Sequence, residues 1–373
     1  MPKRSPTWQD VLRTGSQRLA SAGIETARLD AEVLLRHVAG LDRAGLFLRL
    51  PEPVPEGMTL PFDALIARRI GGEPVAYLTG RREFMELPFR VAPGVLIPRP
   101  ETELLVEWAL EVLGTRQNAT MVDVGTGSGA IAVSIAALSD PALRIIATDI
   151  SEAALAIARD NAATLLDDAQ RARLECREGS LLEPIDGPVN LVLANLPYLT
   201  PAQVDGNPDL AAEPRLALDG GRDGLDLVRH LIADLPRVLT AGGAVGLELD
   251  PSQTVEVADS LRRLFPGRTI RTIHDLAGFG RHVVMEPGET ASVRDAGEQQ
   301  DRQDQRDIAP PHEVDVCVVR DELEQFHMWS VLGRLRMTHN ATSIRVKLTA
   351  VKTDVTMPII STTAKPRIGP DPK

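Results

Sequence analysis

The sequence predicts an α/β protein: a mostly parallel sheet covered by helices on both faces, preceded by a small helical domain. Three observations carry this prediction. From residue 118 to 284, short apolar runs that read as buried strands alternate with stretches that read as amphipathic helices. A glycine-rich segment, Asp123-Val124-Gly125-Thr126-Gly127-Ser128-Gly129, separates the first such strand from the first such helix. Ahead of residue 75 the apolar spacing is helical.

The elements follow in order. Val11, Leu12, Leu19 and Ala20 give one apolar helical face, and Leu29, Ala31, Val33, Leu34, Leu35 and Val38 give another. Gly15 and Gly23 read as punctuation of the first segment, and Gly40 as the end of the second. A further helix is expected over Phe62–Ile70, before Gly71-Gly72. Such short helices bury little alone, so they pack together, either as a cap on the larger domain or as a docking module for a protein substrate. Phe84, Leu87, Phe89, Val91, Val95 and Ile97 are spaced like short strands around Pro88 and Pro93-Gly94, which predicts a β-hairpin linker. Thr102–Leu113 reads as a helix with Pro100 near its start and Gly114 past its end.

Seven strands are then expected. They run over 121–124, 144–148, 175–182, 189–194, 244–249, 269–274 and 281–286, the last two forming an antiparallel edge. The helices between them fall at 130–138, 152–166 (with Ser151 as the capping residue), 225–239 and 254–264. The expected division is residues 1–74 helical, 75–98 linker, 99–287 sheet domain, and 288–373 a polar low-complexity linker with an unassigned tail. Within that tail, 299–307 reads as disordered and 313–356 as a small hairpin. His312, His327 and His339 match no metal-ligand spacing.

Composition narrows the function. A formal charge of −11 over 373 residues repels nucleic acid by default, so a macromolecular partner is expected to be protein. The two cysteines, Cys176 and Cys317, form neither a disulfide framework nor a cysteine metal site. No apolar run reaches membrane-spanning length and no signal-peptide pattern opens the chain; a soluble, cytoplasmic monomer is the expectation.

Two motifs carry chemistry. In the first, glycines turn the chain tightly and keep side chains out of a ligand's space. The strand after the adjoining helix ends in Thr148-Asp149-Ile150, which places Asp149 at a strand tip, fit to accept hydrogen bonds from a ribose diol. The glycine pattern is GxGxG, not the GxGxxG of dinucleotide sites. It resembles the S-adenosylmethionine loop of Rossmann-like methyltransferases. That resemblance gives Asp123, Gly125, Thr126, Gly127, Gly129, Asp149, Ile150, Ser180, Leu181 and Asn195 as cofactor contacts. Asp123 either binds the methionine ammonium through water or holds the loop.

The second motif is Asn195-Leu196-Pro197-Tyr198, directly after the apolar strand over 189–194. Ligands bind at the carboxyl ends of such strands. The Asn195 side-chain oxygen can accept one N–H of a planar amide or amine, and the Leu196 carbonyl can accept the other. Pro197 stiffens the loop, and Tyr198 can stack on the flat face. An amide nitrogen is a poor nucleophile, so two acceptors on its hydrogens would stabilise the positive charge that develops there. No metal is required.

Further segments extend the likeness. Ala22-Gly23-Ile24, the stretch 29–35, Gly72-Glu73-Pro74 through Gly80, and Leu96-Ile97-Pro98-Arg99-Pro100-Glu101-Thr102-Glu103 stand with both motifs. Glu213-Pro214, Gly220-Gly221-Arg222-Asp223-Gly224-Leu225-Asp226 and Asp275-Leu276-Ala277-Gly278 with Arg281 follow. Over roughly residues 8–285 the sequence resembles the bacterial peptide-chain release factor glutamine N5-methyltransferases. The resemblance implies a Rossmann-like, seven-stranded methyltransferase sheet and S-adenosyl-L-methionine as methyl donor. It also implies class 1 release factors as substrates, methylated on the glutamine of a Gly-Gly-Gln loop and gripped by the helical domain. The family usually has Asn-Pro-Pro-Tyr; Leu196 stands at its second position. Asn-Leu-Pro-Tyr also resembles the ribosomal RNA adenine N6-methyltransferases, so an adenine in RNA, or another amide, is the alternative target.

Overall fold

Helix α1 (Trp8–Ser21) begins at a reciprocal cap: Asp10 N–H donates to the Thr7 hydroxyl, and Thr7 N–H donates to the Asp10 carboxylate at 3.1 Å. With α2 (Ala27–Ala39), α3 (Arg43–Arg49) and α4 (Thr59–Ile70) it encloses a core of Leu19, Leu34, Leu35, Leu46, Phe62 and Ile66. The computed structural model describes residues 5–114 and 118–288. The expectations for 299–307 and 313–356, and for Cys317, lie outside them.

Two readings of the helices are corrected. Gly15 does not break the first helix. It lies buried inside α1, where a Cβ would stand 2.5 Å from Cζ of Phe62, so glycine lets α1 and α4 approach. Leu29 is 56% exposed, while Ala27, Ala31, Leu34 and Leu35 form the buried stripe of α2.

The linker opens with α5 (Val75–Thr79), a turn of helix where the sequence reading has only strand spacing. The hairpin itself is smaller than expected: β1 (Arg81–Phe84) pairs antiparallel with β2 (Leu87–Arg90) about Met85-Glu86, both at positive φ. Pro88 lies within β2 and is not the turn. A two-residue hairpin turn favours Asn-Gly or Asp-Gly, so Met-Glu gives no sequence signal. Tyr77 donates from its hydroxyl to the Val95 carbonyl (2.6 Å) and packs with Val91, Ile97, Ala154 and Ile157, which ties the linker to the sheet domain.

A short 3-10 turn, Pro100–Thr102, leads into α6 (Glu103–Leu113). The sheet then builds from β3 (Thr120–Val124), α7 (Ala130–Leu138), β4 (Arg144–Asp149), α8 (Glu152–Leu165), α9 (Asp168–Ala172), β5 (Leu174–Glu178) and β6 (Val189–Ala194). It continues through α10 (Pro201–Asp205), α11 (Asp226–Val238), β7 (Leu239–Glu248), α12 (Thr254–Leu264), β8 (Ile270–His274) and β9 (Gly280–Met285). The order is β5-β4-β3-β6-β7-β9-β8, seven strands; β8 and β9 pair antiparallel as expected, and β9 also runs antiparallel to β7. Alternate residues serve opposite faces. Met121, Ile145 and Leu191 pack with Trp108 and Ile135 under α6 and α7. Val122, Ile146 and Val192 pack with Leu231, Leu235 and Leu261 under α11 and α12. The third strand stops at Glu178, short of the expected Leu182, because Gly179–Leu181 turns away with Leu181 at φ 50°. β3 is flanked by β4 on one side and β6 on the other, so strand order reverses there, and a crevice opens beyond the strand ends.

Candidate active site

The crevice is a cavity on that edge. Its walls come from the loops after β3, β4, β5 and β6, together with 94–102 and 214–217. Of the residues expected from sequence, Gly125, Thr126, Gly127, Asp149, Ile150, Ser180, Leu181, Asn195, Leu196 and Pro197 line it. Asp123, Gly129 and Tyr198 do not.

The glycine loop is held from both sides. Gly125 and Thr126 donate their N–H groups to the Thr148 carbonyl at 2.8 and 2.9 Å, and Gly127 N–H donates to Asp149 Oδ2 at 2.9 Å. All three loop glycines have positive φ, which glycine adopts without strain. A Cβ on Gly127 would meet nothing within 4 Å; the space before it is open. Gly129 faces the other way, where a Cβ would touch Ala158 of α8 at 3.1 Å, so it serves helix packing.

Asp149 also accepts Ser151 N–H at 2.9 Å on Oδ1. Each carboxylate oxygen thus holds one backbone amide and keeps a second lone pair for a ligand hydroxyl. Asp123 is 1% exposed. Its Oδ2 accepts from the Thr126 hydroxyl (2.6 Å) and Ala132 N–H (3.2 Å), the loop-holding arrangement, while Oδ1 is buried and accepts no hydrogen bond among the described residues. Burial drives its carboxyl up to about 7 against the pull of those bonds, and the Asp149 charge adds to the rise.

Asn195 stands immediately after β6. Its Nδ2 donates to the Thr102 hydroxyl at 3.0 Å, and its Oδ1 is buried and accepts nothing among the described residues. Leu196 is 4% exposed and lies over the glycine loop: its Cδ2 is 3.0 Å from where a Gly125 Cβ would be. The two motifs therefore touch. Tyr198 is half-buried beside the cavity. Burial, and next the Glu248 charge, raise its phenol well above the usual range, opposed by Arg281 and Arg99, so it stays protonated.

Sequence reasoning gave no individual role to several supports. Thr102 and Glu213 belong to resembling segments, but what they hold is visible only in three dimensions. Glu213 is buried and accepts from Ile97 N–H (3.0 Å) and the Arg99 guanidinium (2.5 Å), which latches one cavity wall to the other. Asn161, 1% exposed, accepts from Arg90 N–H and donates to the Ser128 and Arg90 carbonyls, so it clamps the hairpin to the glycine loop. Gly220 and Gly224 admit the backbone of the Asn195 loop: Cβ atoms there would lie 2.4 Å from the Pro197 carbonyl and 2.1 Å from the Tyr198 carbonyl. A buried polar residue inside a helix or turn gives no periodic signal, and these contacts span up to 116 residues.

This fold is that of a Rossmann-like methyltransferase. The PrmC N-terminal domain family matches residues 10–80, and the family described as ribosomal protein L11 methyltransferase (PrmA) matches residues 99–197. A release factor glutamine methyltransferase of Moorella thermoacetica is 43% identical over 277 residues, 74% of this chain and 96% of that protein. Those of Deinococcus radiodurans (40%; 74% and 96%) and Bordetella pertussis (42%; 70% and 95%) are similar. The chain belongs to the release factor glutamine methyltransferase family.

Proposed function

We propose that this enzyme transfers a methyl group from S-adenosyl-L-methionine to the N5 side-chain amide of the glutamine in the Gly-Gly-Gln motif of class 1 peptide chain release factors. The observation that carries the reading is Asn195 Oδ1: a buried acceptor with no donor among the described residues, on a cavity wall that the glycine loop also forms. An unsatisfied buried acceptor is costly, so it takes a donor: a ligand N–H, or water that such a ligand displaces. The names of the relatives support a glutamine amide as that ligand.

The residues present fit the cofactor. The open space before Gly127 leaves room for it, the spare lone pairs of Asp149 suit a ribose diol, and Thr126, Ile150, Ser180 and Leu181 complete its walls. When bound, it supplies an electrophilic methyl group on a sulfonium sulfur. The chain itself orients the amide. Asn195 Oδ1 accepts one N–H and the Leu196 carbonyl the other, and both acceptors strengthen as positive charge develops on nitrogen. Pro197 stiffens the loop, and Tyr198 offers the amide a flat face from beside the cavity. Leucine at 196 supplies the same carbonyl as proline, and its side chain fixes the loop on Gly125. The helices over 8–70 dock the release factor, the catalytic part spans 99–287, and the enzyme acts as a cytoplasmic monomer. Among the described residues no helix is long and apolar enough to cross a membrane.

Label transfer tests this. The protein is incubated with methyl-labelled cofactor and purified release factors, ribosomal RNA or ribosomal proteins, and the label is located by tandem mass spectrometry. Label on the Gly-Gly-Gln glutamine is expected. Label confined to adenine in RNA, or to another protein, contradicts the reading.

A further inference from the structure

Asn195 is an amide, and its two ends are nearly equal in size. The end left for the substrate depends on which end the neighbouring group engages: a hydroxyl can accept from Nδ2 or donate to Oδ1, and accepting from Nδ2 leaves Oδ1 free. Here the neighbouring group is Thr102. Thr102 is 4% exposed, closes the Pro100–Thr102 turn, and accepts Asn195 Nδ2–H at 3.0 Å. It is itself fixed in place. Its N–H donates to the Arg99 carbonyl at 3.1 Å, and Arg99 is latched to buried Glu213, which also takes Ile97 N–H. We propose that Thr102 is a positioning residue for methyl transfer: its hydroxyl occupies Nδ2 of Asn195 so that Oδ1 is presented to the substrate N–H. This rests on the amide-clamp reading above. Valine at 102 would keep the shape but remove the acceptor. The Nδ2–H would then lose its protein partner, and the amide would be free to turn.

The test uses the full chain and its Thr102→Val, Thr102→Ser, Thr102→Ala and Asn195→Ala variants, with the Thr102→Val/Asn195→Ala double variant. Steady-state methylation of a release factor gives kcat and KM, calorimetry gives cofactor affinity, and nitrogen-15 spectra follow solvent exchange of the Asn195 side-chain N–H. Thr102→Val should lower kcat about tenfold, the worth of one hydrogen bond, with KM and cofactor affinity held within about twofold. Thr102→Ser should recover most of the rate, and Thr102→Ala should behave like Thr102→Val. The double variant should be no slower than Asn195→Ala alone, because both changes disable one device. Asn195 N–H exchange should accelerate in Thr102→Val and not in Thr102→Ser. Unchanged kcat in Thr102→Val, no recovery with serine, or losses that multiply in the double variant would overturn the proposal. The exchange measurement needs no methyl acceptor, so it decides the role of Thr102 even if release factors prove not to be the substrate.

Discussion

Two carboxylates at adjacent strand tips have different environments and different consequences. Asp149 is partly exposed and spends its bonds on Gly127 and Ser151. Asp149→Ala should therefore loosen the loop as well as remove the proposed ribose acceptor, and weaken cofactor binding by roughly 1.5–3 kcal/mol. Calorimetric titration of a folded variant measures this, and undiminished affinity removes Asp149 from the site. Asp123 is buried and raised to about 7 from an ordinary value of 3.8. Between those values the folded chain holds a proton that the unfolded chain has released. Its contribution to stability consequently falls as pH rises through that window, by at most about 1.4 kcal/mol per unit, and is level above it. Asp123→Asn removes the effect. Its urea midpoint should gain on the wild type from pH 4 to 7 and then run parallel. Profiles parallel throughout would mean that Asp123 is ionised in the folded protein.

The helices and strands were legible in sequence to different degrees, for physical reasons. The strand Val189–Ala194 and the helix Thr254–Leu264 match their expected limits, because this buried central strand is apolar apart from Asn190 and a surface helix keeps its 3.6-residue stripe. The helix α5 and the Met85-Glu86 turn were illegible, since tertiary packing of Tyr77 and Leu78 specifies them and no turn residue marks them. Of the site, the glycine loop, Asp149 and Asn195 were legible because they lie within local motifs. Thr102, Asn161 and Glu213 were not assigned roles, because their partners are remote in sequence. Gly15 is the clearest misreading: a glycine that looks like a break is a contact. Gly15→Ala should destabilise the protein by about 1–2 kcal/mol, since overpacking against buried Phe62 outweighs the roughly 1 kcal/mol gain in helix propensity. Phe62→Leu in the same chain should recover part of the loss. A Gly15→Ala variant more stable than the wild type in denaturant would refute close packing of α1 on α4.

Taken as a whole molecule, the chain matches the Moorella thermoacetica and Deinococcus radiodurans relatives over 96% of their length with 74% of its own. Truncation after Gly288 should leave specific methyl-transfer activity nearly unchanged; a folded truncation with little activity would give residues 289–373 a part in the site or in docking. Among the described residues, the hairpin, through Phe84, and the strand-end loops of the sheet line one cavity around the Asn195 loop. Asn161 and Leu196 tie that loop's surroundings to the glycine loop, and Thr102 ties Asn195 to the opposite wall. The central claim is that Asn195 clamps the substrate amide as charge builds on its nitrogen. Its most direct test is steady-state methylation of a purified release factor by Asn195→Ala, with cofactor affinity determined separately. The account predicts a loss in kcat of about a hundredfold or more, on the order of 3–4 kcal/mol, with cofactor affinity close to wild type. A near-normal kcat would contradict the amide clamp and leave only the cofactor site standing.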